Sequence, residues 1–154
     1  MRRIVFMILA LVATVAVSAQ NADKLYEQGK ALYDSKNYTK AFPMLKTAAE
    51  KGHKKAQYRI GRCYDKGRGV TEDNQQAFQW YSKAASQGHA KSQYQVGKCY
   101  LKGKGVSADK QKAKTWLNKA VKNAKGGDKV MDGIKQDAAK GDEDCKAMLN
   151  LLGK

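Results

Sequence analysis

The side chains able to do chemistry in this sequence are few and regularly placed. Cys63, Cys99 and Cys145 are its only cysteines, and His53 and His89 its only histidines. A tyrosine stands three residues before a recurring glycine, at Tyr26, Tyr58 and Tyr94. A basic residue stands one after it, at Lys30, Arg62 and Lys98. On a helix, positions four apart share a face, and this face is turned away from that of Ile60 and Val96. A tyrosine ladder beside a basic ladder suits an extended acidic segment or a carboxylate terminus. The competing reading is that the tyrosines pack between neighbouring units.

The other reactive groups point away from catalysis. An odd cysteine count permits one disulfide and one free thiol. Cys63 and Cys99 hold equivalent places in neighbouring units, and adjacent helix axes lie about 8–10 Å apart. A disulfide needs Cα atoms within roughly 7 Å, so buried thiols are the favoured reading. No Cys-x-x-Cys pair occurs, which leaves zinc and dithiol redox chemistry without their usual ligands. His53 and His89 each follow a glycine at the same spacing as the cysteines, so repetition explains them without a metal. No Gly-x-Ser-x-Gly elbow, phosphate loop or paired-carboxylate motif stands out. The expectation is no enzyme, no cofactor, no metal site and no catalytic residue.

The elements that position these residues are repeats. Gly61-Arg62-Cys63-Tyr64 returns as Gly97-Lys98-Cys99-Tyr100, an offset of 36. The same offset relates Gly52-His53 to Gly88-His89 and Gly67-x-Gly69-Val70 to Gly103-x-Gly105-Val106. It also relates Asp73 to Asp109, Ala77 to Ala113, Trp80 to Trp116 and Ala84 to Ala120. An earlier copy runs through Gly29, Ala41 and Ala48, four residues shorter, with the turn Asp34-Ser35-Lys36-Asn37 in place of the glycine loop. Fixed-period self-similarity of this kind is the mark of a stacked repeat architecture.

Each copy reads as two helices. Ala77, Trp80, Tyr81, Ala84 and Ala85 follow i, i+3, i+4, i+7, i+8, the stripe of an amphipathic helix. Ala113, Trp116, Leu117, Ala120 and Val121 repeat it, as do Ala41, Met44, Leu45, Ala48 and Ala49. Gly61 and Gly97 fall mid-helix, where glycine costs about 1 kcal/mol against alanine, so close helix contact is expected there. Gly67, Gly69, Gly103 and Gly105 punctuate the loops. Asp73 and Asp109 stand where an N-cap belongs, with Gln76 three residues after the first.

These residues carry a resemblance. The run Ala56 to Val70, then Asp73, Ala77, Trp80-Tyr81 and Lys83-Ala84-Ala85, resembles the Sel-one-like repeat (SLR) family. The third copy matches nearly as well, while the first is closer to the related tetratricopeptide repeat. The resemblance implies an all-α, right-handed α/α superhelix whose first helices line a concave binding face, used mostly as adaptor or scaffold. It names no ligand.

The ends differ from the middle. Met1-Arg2-Arg3, the apolar run Ile4 to Val17 and Val17-Ser18-Ala19 have the order of a secretory signal peptide over residues 1–19. The run is short for a membrane span, which needs about 20 residues. Three hairpins, about 24–52, 53–88 and 89–123, fill residues 20–123. Within 124–154, helices over 128–140 and 143–152 are expected to cap the open end, the second through Ala147, Met148, Leu151 and Leu152.

Charge narrows the partners. The net charge of +16 falls to +14 without Arg2 and Arg3, and the mature basic residues are 25 Lys with only Arg59, Arg62 and Arg68. Nucleic-acid readers rely on arginine forks, so nucleic acid is not the expected partner. A periplasmic or secreted bacterial module that grips a peptide or partner protein, possibly an acidic one, is the first reading. The alternatives are a cell-wall glycan binder or hydrolase of β-lactam or peptidoglycan type, and electrostatic adhesion to an anionic envelope surface.

Overall fold

The computed structural model describes residues 19–154. The leader expected over residues 1–19 lies outside the described residues, apart from Ala19, which opens the first helix. Among the described residues there are eight helices and no strand. They are α1 over 19–34, α2 Tyr38–Glu50, α3 Lys54–Lys66, α4 Asn74–Ser86, α5 Ala90–Lys102, α6 Lys110–Val121, α7 Gly127–Ala139 and α8 Glu143–Leu152. The first six pair as three hairpins stacked in an SLR-type solenoid. None of the described helices is long and apolar enough to cross a membrane.

Within each hairpin a glycine faces a large side chain. A Cβ on Gly61 would lie 2.5 Å from Cδ1 of Tyr81. On Gly97 it would lie 2.8 Å from Cγ of Leu117, and on Gly29 2.8 Å from Cγ of Leu45. Tyr81, Leu117 and Leu45 are fully buried as a result. Burial of such a side chain is worth about 1.5–3 kcal/mol, which offsets the helical penalty of glycine.

The helix starts are capped by side chains. Asp73 Oδ1 accepts from the Gln76 amide at 2.9 Å, and Asp109 Oδ1 from the Lys112 amide at 2.9 Å. His53 caps α3 through Nδ1, which accepts from Ala56 N at 3.1 Å. In the long loops, Gly69 (φ 73°) abuts the Tyr38 carbonyl and Gly105 (φ 71°) the Asn74 carbonyl. Any Cβ would collide with that backbone, so each loop docks on the start of the preceding hairpin's second helix.

The cores straddle the repeat borders. Trp80 of α4 joins Leu45, Ala49 and Ile60 in one cluster, and Tyr81, Val96 and Cys99 form the next. Phe42 meets Tyr64 edge-on at 5.7 Å, and Phe78 meets Tyr100 at 5.4 Å, one repeat later. Buried Gln57 donates Nε2 to Ala49 O and receives Gln87 Nε2 at 2.7 Å. Gln93 repeats this with Ala85 O and Asn123 Nδ2. These amides close the carbonyl end of the preceding helix and tie three consecutive helices together.

At the far end, Val130, Ile134, Ala138, Cys145 and Met148 pack on Leu117 and Ala120. The apolar face expected of α8 is only partly realised. Cys145 and Met148 are buried, whereas Ala147, Leu151 and Leu152 are half-buried. All three cysteines are buried free thiols.

Candidate functional site on the first helices

The first helices set most of the residues singled out by spacing along one face, but not as free ladders. The Tyr26 ring stacks on His53 at 4.2 Å and 24°, and it is 6% exposed. Tyr58 repeats the contact with His89 at 5.0 Å. It does not turn away from its hairpin partner either: its ring lies 5.9 Å from Tyr81 of α4. The neighbouring glycine at position 61 draws Tyr81 up to the same side. Tyr94 is half-buried, with its hydroxyl 4.0 Å from Cys145 Sγ.

Three depressions share Tyr58. The largest, about 520 Å³, is lined by Tyr26, Tyr58 and Arg62 together with Lys55, Lys91 and Lys129. A second, about 470 Å³, joins Tyr58 and Arg62 to Lys98. A shallower one of about 220 Å³ adds Tyr94. Lys30 lines none of them; it is held at the surface by Asp34 at 2.9 Å. Five of the six residues are therefore brought together around Tyr58, and Lys30 is set apart.

The groove is electropositive. Among the described residues no carboxylate lines the largest depression. At His89 burial, and after it the charges of Lys54, Lys91 and Lys55, push the pKa down to about 4. Lys55 and Lys91 stand at the repeat offset of 36, a signal as regular as that of the tyrosines. Lys125 and Lys129, just before and within α7, have no such period and carry no signal of their own.

The arginines are largely committed to structure. Arg59, Arg62 and Arg68 all converge on the buried Tyr33 ring, at 4.9, 6.0 and 5.6 Å. Arg68 also donates to the Tyr33 hydroxyl at 2.7 Å, and Arg59 pairs with Asp34 at 3.1 Å. Arg62 alone of the three reaches both large depressions. The thiols lie beneath this face; burial pushes both Cys63 and Cys99 up to about 11. No group of three or more His, Cys, Asp or Glu able to hold a metal occurs among the described residues.

The family model described as the Sel1 repeat matches residues 19–53, 54–89 and 90–124. None of the curated proteins matches the sequence. A Sel1 repeat protein from Oxalobacter formigenes is similar at 30% identity and a TM-score of 0.63, over 90% of this chain and 96% of that one. The protective antigen c5321 of uropathogenic Escherichia coli, which displays an SLR fold, is 28% identical with a TM-score of 0.65. That match covers 86% of this chain and 30% of the antigen. Cysteine-rich protein B of Helicobacter pylori shares the fold at 24% identity and a TM-score of 0.58, over 72% of this chain and 89% of that one.

Proposed function

The chain belongs to the Sel1 repeat family, and from that premise we propose that it is an exported interaction module whose first-helix groove grips an acidic segment of a partner protein. The observation that carries this reading is the lining of the largest depression. Lysines from α3, α5 and α7 surround Tyr26 and Tyr58, and no carboxylate faces them. Opposite charge there steers encounter and sets register, while Tyr58, the half-buried ring of the two, gives apolar area at small entropic cost. The Tyr26–His53 stack and the tilted Tyr58–His89 contact hold the rings in place before binding, which lowers the cost of ordering them.

Export is part of the same reading. It rests on the basic, apolar and small-residue order of residues 1–19, and places the groove in the bacterial periplasm or outside the cell. A non-enzymatic role is supported by the buried, high-pKa thiols, because the thiolate is the nucleophile.

Affinity capture with the mature protein, followed by a Tyr58→Ala variant, tests the groove. Partners retained by the wild type and lost by the variant support it. Capture that survives Tyr58→Ala yet collapses steeply with salt means adhesion through the lysine-rich surface instead, and sinks the groove.

A further inference from the structure

Tyr81 is 1% exposed, and its hydroxyl has no hydrogen-bond partner among the described residues. A buried hydroxyl without a partner is costly, and the repeat does not require one. Leu45 and Leu117 fill the equivalent place in the neighbouring hairpins and are equally buried. Only the middle hairpin carries oxygen at this position.

That residue forms the floor of the second depression, the crevice between α3 and α5. Its walls carry Arg62, Lys66, Lys98, Lys102 and Lys104 against a single carboxylate, Asp65. Asp65 is already engaged, with Lys104 at 2.5 Å and Lys66 at 3.4 Å. Burial pushes its carboxyl up, but the Lys104 hydrogen bond and charge, with Lys66 beside them, outweigh that and hold it below the ordinary range. Asp144 stands outside the lining, 2.6 Å from Lys102 and 3.9 Å from Lys98. Arg62 is unpaired among the described ion pairs, and its fork is suited to two oxygens of one anion.

We infer that this crevice is a carboxylate-binding subsite: Tyr81 Oη–H donates to one oxygen, Arg62 holds the anion, and Lys98 and Lys102 neutralise it at the mouth. The inference rests on the groove reading and deepens it, since Tyr58 and Arg62 form the wall shared by groove and crevice. An acidic segment lying along the groove would place one carboxylate in the crevice.

The probes are glutarate, followed by NMR on the Gln95, Lys98 and Cys99 amides, and hexaglutamate, followed by calorimetry. Tyr81→Phe keeps the ring against Gly61 and removes only the unpaired oxygen, so its melting temperature should equal or exceed wild type. Lys98→Gln, at the half-buried rim, is the second variant. Glutarate should shift these amides in the wild type, and Tyr81→Phe should weaken it about tenfold, the loss of one hydrogen bond to a charged group. Equal glutarate affinity in wild type, Tyr81→Phe and Lys98→Gln, or no shift at these amides, overturns the subsite. If hexaglutamate still binds in that case, the groove reading stands alone. If glutarate binds as expected and hexaglutamate does not, the subsite stands and the groove reading falls. Competition by hexaglutamate amide against competition by hexaglycine separates side-chain from chain-terminal carboxylates as the source.

Discussion

Gly61 and Tyr81 occupy one space: a single added carbon on Gly61 would sit 2.5 Å from the Tyr81 ring. The ring is buried because the helix beneath it has no side chain at that point. Gly133, in α7, has nothing within 4 Å of the same imagined carbon. The two glycines should respond oppositely to one substitution. Gly61→Ala should cost about 1–3 kcal/mol through overpacking, partly offset by helix propensity. Gly133→Ala should add about 0.5–1 kcal/mol. Thermal denaturation of both variants checks the contrast, and equal effects would show that close approach is not what selects Gly61.

The buried amides should be among the costliest polar groups to remove. Gln93→Ala removes its bonds to the Ala85 carbonyl and from Asn123 Nδ2, leaving these groups their local partners, Gly88 N and Gly88 O. A loss of about 1–2 kcal/mol, two net hydrogen bonds, is expected in urea denaturation. Gln95→Ala, two residues away and half-buried, should change stability by less than about 1 kcal/mol.

Tyr33 gathers three arginines, so its ring and its hydroxyl should separate by mutation. Tyr33→Phe removes only the Arg68 hydrogen bond, worth about 1 kcal/mol. Tyr33→Leu also removes the guanidinium contacts, and should cost at least about 1 kcal/mol more. If the two variants melt together, the arginines are not held by the ring face.

Acid should weaken the fold through His89. Its folded pKa lies near 4, below the ordinary 6.5, so the unfolded chain takes up the proton first as pH falls. Stability is therefore full above about 6.5 and is lost as pH drops toward about 4. The loss should be roughly 1–3 kcal/mol after allowance for solvent screening. His53, lowered chiefly by burial, acts in the same direction. Urea midpoints across that window should fall for the wild type and flatten for His89→Gln.

The thiols should resist alkylation. Native protein at pH 8 should react with iodoacetamide at least about a hundredfold more slowly than free cysteine, given burial and pKa values near 11 for Cys63 and Cys99. In denaturant all three should label. One fast native thiol would mean that its helix opens readily.

What spacing makes legible is the hairpin itself. The 36-residue offset, the alanine–aromatic stripes and Asp73 and Asp109 are local features, and local physics reads them. What it does not encode is the lateral register between hairpins. Tyr26 and Tyr58 were visible as a period, but the imidazoles that cover them belong to the next repeat. Gln57 and Gln93 are polar residues in an apolar interior, and their partners are carbonyls that sequence does not display. Lys125 and Lys129 enter the groove only because α7 and the turn before it fold back toward α5. The hydroxyl of Tyr81 was visible as a mismatch with Leu117, and its meaning depends on the crevice above it.

The docking of Gly69 on Tyr38 and of Gly105 on Asn74 gives the array a direction. Each long loop looks backward and needs a predecessor, and each second-helix start looks forward and receives a successor. The unit 54–89 has both connectors, whereas the first hairpin, with its short turn, can only receive. A duplicated copy of 54–89 should therefore splice in register between its neighbours, like a link with matched ends, and lengthen the basic face without altering either terminus.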